Sequence, residues 1–227
     1  MQVQPLILES LVEELHDQLE SAAACRRRAS LAIPGGRSPG PVLTALATAC
    51  SPFLRRHLRL CWVDERAVPV GHADRNDAAM LAAWETGGPP PAMVLPMPAE
   101  ADDLQAAAQD YATTLTEHCG DQLDLVLLGI GEDGHIASLF PGHPGLDELE
   151  PVFPVTDSPK PPPRRLTLGL PVLRAARRLV ILVTGATKGR VLGRALQGPD
   201  RSLPVSLLAG SPVTCYLDDA AWQALQG

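Results

Sequence analysis

The segment Gly129-Ile130-Gly131-Glu132-Asp133-Gly134-His135 places an imidazole two residues after a carboxylate within a glycine-rich turn. Imidazole suits general acid–base work near neutral pH, and a neighbouring carboxylate can orient it, so His135 with Asp133 is a candidate proton-transfer pair. The glycines keep the approach to the ring open. The same residues match G-x-G-x-x-G, but Glu132 and Asp133 would set two carboxylates against a pyrophosphate, which argues against a dinucleotide site. A helix is expected after the turn, ended by Pro141 within about two turns; its N-terminus would favour a neutral imidazole, while Asp133 pulls the other way. A second turn, Gly36-Arg37-Ser38-Pro39-Gly40, matches the serine-hydrolase pattern G-x-S-x-G. In that motif the residue after the serine supplies a backbone N–H to the oxyanion hole, and Pro39 has none to give. A phosphate cradle fits better: Gly35 and Gly36 let the backbone approach closely, the next helix presents N–H groups, and Arg37 and Ser38 add a cation and a hydroxyl. Asp64-Glu65-Arg66 would share the rim with His135, and Arg165 and Lys188 add two isolated cations; taken singly, each reads as surface charge.

These residues acquire meaning only if the fold brings them together. Apolar positions at helical spacing over 8–19, running to Arg26-Arg27-Arg28, predict an opening helix. Strand 31–33, the Pro34-Gly35-Gly36 turn and helix 41–49 follow. Strand 58–63, a polar loop to Asn76 and a helix to about Trp84 come next, then helix 101–117 and strand 123–128. The apolar run 179–183 reads as a strand buried on both faces, followed by helix 187–196 and a last strand at 213–217. Residues 87–98 and 159–163, both proline-rich, are expected to be loops. Alternating strands and helices predict an α/β fold, a Rossmann-like three-layer sandwich with a mainly parallel sheet and helices on both faces, built as a single domain over 1–227. The glycine-rich turns then fall at strand carboxyl ends, where open α/β sheets bind ligands.

Composition narrows the partners. The 227 residues carry 26 acidic and 19 basic side chains, net −7, with three Trp, two Tyr and three Phe, which speaks against nucleic acid. No apolar stretch approaches the ~20 residues of a membrane span, and the N-terminal segment is acidic where a leader would be basic and then apolar. Five cysteines without a CxxC pair suit reduced thiols in a cytoplasmic protein, and the six histidines show no metal-ligand spacing.

The run Leu127-Leu128-Gly129-Ile130-Gly131-Glu132-Asp133-Gly134-His135-Ile136-Ala137-Ser138-Leu139-Phe140-Pro141 closely resembles the signature of the 6-phosphogluconolactonase family. Pro34-Gly35-Gly36-Arg37-Ser38-Pro39, Trp62-Val63-Asp64-Glu65-Arg66-Ala67-Val68-Pro69, Pro163-Arg164-Arg165-Leu166-Thr167-Leu168 and Thr184-Gly185-Ala186-Thr187-Lys188 resemble its other blocks, in its order. The resemblance implies a Rossmann-like sandwich that hydrolyses the δ-lactone of 6-phosphogluconate without metal or organic cofactor. It implies His135 as the general base activating water, beside Asp133. It implies that Gly35, Gly36, Arg37, Ser38, Asp64, Arg66, Arg165 and Lys188 bind the sugar phosphate. A small sugar-phosphate lactone is then the partner, and the protein a monomer or homodimer. Arg37-Ser38 replaces the family's usual Ser-Thr, and Arg75-Asn76-Asp77 stands where Ser-Asn is usual. Two alternatives share the fold. Amino-sugar phosphate deaminases continue the motif as Phe-Asn-Glu-Pro, and their glutamate position is Phe140 here. A non-catalytic sugar-phosphate sensor usually carries a DNA-binding segment, for which residues 1–30 have neither the basic charge nor the length.

Overall fold

Strands that are buried along their whole length, joined by helices with one apolar stripe, account for the architecture. The computed structural model describes residues 1–226. Its elements run β1 (Gln2–Pro5), α1 (Leu8–Arg26), β2 (Ala29–Ile33), α2 (Pro39–Ala49), α3 (Pro52–His57), β3 (Leu58–Trp62), β4 (Asp64–Arg66), α4 (Asn76–Gly87), β5 (Met93–Leu95) and α5 (Leu104–Cys119). They continue with β6 (Leu125–Gly129), β7 (Val152–Val155), β8 (Arg165–Leu168), α6 (Leu170–Ala175), β9 (Leu179–Val183), α7 (Ala186–Ala195), β10 (Val213–Leu217) and α8 (Asp219–Gln226). Every residue of β2, β9 and β10 is buried. Successive strand side chains point to opposite faces, so both faces of the sheet must be covered.

Seven strands lie in the order β1-β10-β9-β6-β2-β3-β5, all parallel, as the alternation of elements predicts. After β2 the chain builds toward one edge through β3 and β5; after β6 it builds toward the other through β9 and β10. The switch point between β2 and β6 therefore opens a crevice at the strand carboxyl ends. A separate antiparallel sheet, β4-β8-β7, stands beyond β3.

Several expectations are corrected. No helix follows β6: Leu139 N donates to Ile136 O at 2.9 Å, closing a turn in which Ala137 adopts a positive φ of 47°. The turn is pinned from outside, because Ser138 donates its N–H to Thr167 Oγ1 (3.2 Å) and its hydroxyl to Asp64 Oδ2 (2.7 Å). The helix-terminus contribution expected at His135 is thus absent. Residues 87–98 hold the short strand β5, paired with β3. The buried Tyr111 hydroxyl reinforces that edge, accepting from Trp62 N and donating to Leu95 O, each at 3.0 Å. β1, α3, α6, α8 and the three-stranded sheet were not anticipated; each element is eight residues or shorter, too short for a period to show clearly. No helix among the described residues is long and apolar enough to cross a membrane.

Replacing Tyr111 by Phe removes the bridge and leaves two buried backbone groups without it, for an expected loss of about 1–3 kcal/mol in chemical denaturation. An unchanged midpoint would show that β5 is held by other means.

Candidate active site

Alternation along β4 decides what its charged residues do. Residues 64 and 66 point to one face and 65 to the other. Across the antiparallel pair, Arg66 faces Arg165 and Asp64 faces Thr167. Asp64, Arg66 and Arg165 therefore look into the crevice, while Glu65 turns away and is fully buried. Its carboxylate accepts from Asn76 N (2.7 Å), Asp77 N (2.9 Å) and Arg66 N (2.7 Å). Glu65 thus caps α4 from the preceding strand, where the local N-cap, Arg75, offers no side-chain acceptor. Burial pushes the Glu65 carboxyl up, against three backbone N–H groups that favour the anion.

The crevice is a cleft of about 290 Å³ formed by loops following β2, β3, β6 and β9 together with the 158–165 segment. Gly35, Gly36, Arg37, Ser38, Asp64, Arg66, His135, Arg165 and Lys188 all line it, and Asp133 stands behind His135. The β2 loop needs its first glycine: a Cβ on Gly35 would lie 1.7 Å from Asn76 Oδ1. Gly36 turns through a positive φ of 93°. The N–H groups of Gly36, Arg37 and Ser38 have no partner among the described residues, whereas the start of α2 offers fewer donors than expected because Pro39 and Pro41 have no N–H. Ser38 Oγ lies 2.7 Å from Thr184 Oγ1, joining the β2 and β9 loops. Lys188, on the first turn of α7, is half-buried and makes no ion pair among the described residues. Burial lowers its pKa, with Arg37 and Lys160 acting in the same sense and Glu132 and Asp218 against it.

His135 also lines the cleft, and its Nδ1 lies 2.5 Å from Asp133 Oδ1. Burial opposes the charge on Asp133, but the His135 hydrogen bond and charge, aided by Lys160, hold the carboxyl well below the usual range. An ionised carboxylate only accepts, so Nδ1 carries a proton, and in the neutral tautomer of the ring the lone pair is on Nε2. The ring packs against Phe140, centroids 4.9 Å apart. Gly131 makes the pair possible, since a Cβ there would fall 2.0 Å from His135 Nδ1 and 2.4 Å from Asp133 Oδ1.

Arg165 is 4% exposed and heavily committed. Its Nε donates to Pro162 O (3.1 Å) and one terminal nitrogen to Lys160 O (3.0 Å) and Pro161 O (3.3 Å). The other terminal nitrogen is 3.5 Å from Ser138 Oγ and 3.9 Å from Asp64 Oδ2. Arg66 donates to Asp74 O at 2.6 Å, and its Nε is buried without a partner among the described residues. Sequence reasoning missed Asn76, Ser138, Thr167, Thr184 and above all Lys160, whose Nζ lies 3.0 Å from Asp133 Oδ2. The available signal was a single cation locked among prolines in Ser158-Pro159-Lys160-Pro161-Pro162-Pro163.

Cations thus outnumber acids around the cleft, with a proton acceptor on one wall: an arrangement able to hold an anionic substrate and activate a water. The family model of glucosamine-6-phosphate isomerases/6-phosphogluconolactonase matches residues 4–216. The 6-phosphogluconolactonase of Rattus norvegicus is 38% identical over 223 residues, 91% of this chain and 86% of the rat protein. That of Streptomyces coelicolor is 37% identical over 232 residues, 95% of this chain and 89% of its own. Among solved structures, 6-phosphogluconolactonase from Thermotoga maritima superposes with a TM-score of 0.84 at 24% identity, covering 96% of this chain and 98% of that one. A monomeric glucosamine-6-phosphate deaminase superposes at 0.78 with 22% identity, over 99% of this chain and 100% of that one, so the fold alone does not separate the two activities.

Because the atoms nearest the added methyl of Gly131→Ala belong to the side chains of His135 and Asp133 and not to backbone, the fold should survive while the imidazole is displaced. The expected result is an unchanged circular dichroism spectrum with loss of the His135 Nδ1–H resonance in proton NMR. Retention of that resonance would show that the pair tolerates a β-carbon.

Proposed function

The chain belongs to the glucosamine-6-phosphate isomerase/6-phosphogluconolactonase family, and on that premise we propose that it hydrolyses the δ-lactone of 6-phosphogluconate, with His135 as general base. The observation that carries this reading is the orientation of the imidazole: Nδ1–H is committed to an ionised Asp133, so the basic atom is Nε2, on a side chain lining a cleft otherwise rich in fixed cations. Nε2 takes a proton from water as the oxygen attacks the lactone carbonyl. The imidazolium, steadied by Asp133, then returns the proton to the ring oxygen as the carbon–oxygen bond breaks. A lactone needs no covalent nucleophile, and Ser38, bonded to Thr184, has no base beside it among its hydrogen-bond partners. The reaction asks the protein chiefly for orientation and proton transfer.

The phosphate end is assigned to the unpaired N–H groups of Gly36, Arg37 and Ser38 together with the side chains of Arg37 and Lys188. Arg37 in place of the family's usual serine adds charge where a dianion is held. Arg66, which lines the cleft, adds positive charge on the substrate side. Arg165 has its donors on protein acceptors and contributes fixed positive charge more than contacts. Deaminase chemistry would lack its carboxylate here, because Phe140 occupies that place, buried against His135.

The decisive measurement is turnover of freshly generated 6-phosphogluconolactone above the spontaneous rate. His135→Gln is expected to lower the enzyme-dependent kcat by about 10²–10⁴-fold, and an unchanged rate would overturn the general-base assignment. Lys188→Met is expected to raise KM for the phosphorylated lactone by roughly 10- to 100-fold, the worth of a charged hydrogen bond, while leaving unphosphorylated gluconolactone nearly unaffected. Equal losses on both substrates would return Lys188 to a structural role.

A further inference from the structure

Lys160 reaches the cleft from a segment with little conformational freedom. Pro159 and Pro161 flank it and restrict the backbone on both sides. Ser158 Oγ closes a local turn, donating to Lys160 O at 2.9 Å and accepting from Lys160 N at 3.2 Å. The buried Arg165 guanidinium then binds the three successive carbonyls of Lys160, Pro161 and Pro162. This scaffolding delivers Nζ to 3.0 Å from Asp133 Oδ2 and 3.3 Å from His135 Nδ1. Nδ1–H already donates its hydrogen bond to Asp133 Oδ1, so the nitrogen offers no lone pair toward Lys160; the second approach is a contact and the first is the bond. The two oxygens of Asp133 are divided between the imidazole and the ammonium, which fixes the rotation of the carboxylate.

A solvated ion pair is the plainer description, since the two side chains are 44% and 34% exposed. Such pairs add little to stability. That weakness makes the clamp by Arg165 informative: a buried cation holds in place a loop whose side chain contributes little to the fold but touches the proton-transfer pair.

We propose that Lys160 is a positioning residue for this reaction: by occupying Asp133 Oδ2 it turns Oδ1 onto the Nδ1–H of His135, and so aims Nε2 at the attacking water. Arg165 acts through Lys160, as the anchor of its loop. The inference rests on the reading of His135 as the base, and the variants separate the two. Lys160→Met, Lys160→Arg and His135→Gln are compared on phosphorylated and unphosphorylated gluconolactone, with the spontaneous rates subtracted, and the His135 Nδ1–H resonance is followed by proton NMR.

The expected outcome for Lys160→Met is a kcat lowered about 10- to 100-fold on both lactones, the scale of a misplaced catalytic group. KM for the phosphorylated lactone should move by less than about threefold, thermal stability should be unchanged, and the Nδ1–H resonance should shift or broaden. Lys160→Arg, which keeps a charged donor, should recover most of the rate. A KM increase confined to the phosphorylated lactone would overturn the proposal in favour of a substrate-anion ligand. An unchanged kcat with an unchanged resonance would remove any role. If His135→Gln loses its rate while Lys160→Met keeps the full rate, the positioning role alone fails; if His135→Gln is fully active, the base assignment fails and this inference with it.

Discussion

Parallel pairing across the central sheet is the constraint from which the site follows. When all strands run the same way, all their carboxyl ends meet one edge, and residues distant in sequence become neighbours there. β9, β6, β2 and β3 are adjacent, so the loops bearing Lys188, His135, Gly36 and Asp64 must share a rim. The order of addition reverses between β2 and β6, which parts their following segments and leaves room for a ligand. The Gly35-Gly36 turn and His135 both line that gap.

Around this frame, buried charges fix how the loops attach to the apolar core. Glu65, Arg75 and Arg165 are nearly or fully inaccessible, and a buried charge without partners would be prohibitive. Glu65 receives three backbone N–H groups. Arg75 pairs with Asp77 at 2.7 Å and Glu100 at 2.8 Å. Arg165 receives three carbonyls with Asp64 at its far side. Each requirement ties a loop to an element elsewhere: Glu65 fixes α4 against β4, and Asp64 with Thr167 holds the Ser138 turn. In this way the small antiparallel sheet becomes a bracket that sets His135 against the crevice.

The charge distribution supports the same division of labour. The chain is net acidic at −7, which would repel a sugar phosphate at long range. The cleft reverses the sign locally, with Arg37, Arg66, Lys160, Arg165 and Lys188 facing Asp64 and Glu132. Low-dielectric walls concentrate such a field where the anion must settle. The acidic partner of His135 lies behind the ring, where it orients the imidazole without facing the anion.

Much of this was legible in the sequence. The apolar run at 179–183 marked a strand buried on both faces, the glycine-rich turns marked strand ends, and Pro39 denied Ser38 the role of a nucleophile. Local chemistry sufficed for these because burial, turn geometry and missing donors are properties of a few consecutive residues. Other features were not local. A helix after Gly134 was a reasonable expectation, and it fails because Ser138 is held by Thr167 and Asp64, which are 29 and 74 positions away. Glu65 and Asp64 look alike in sequence, yet the pleat sends one to cap a helix and the other to the cleft. Lys160 was hidden in a proline-rich loop until Arg165 carried it to Asp133. The residue types and their order determined which chemistry was available and what kind of sheet would display it. Only the tertiary structure decided which charges met, because pairing across the fold depends on register and burial that no single segment contains.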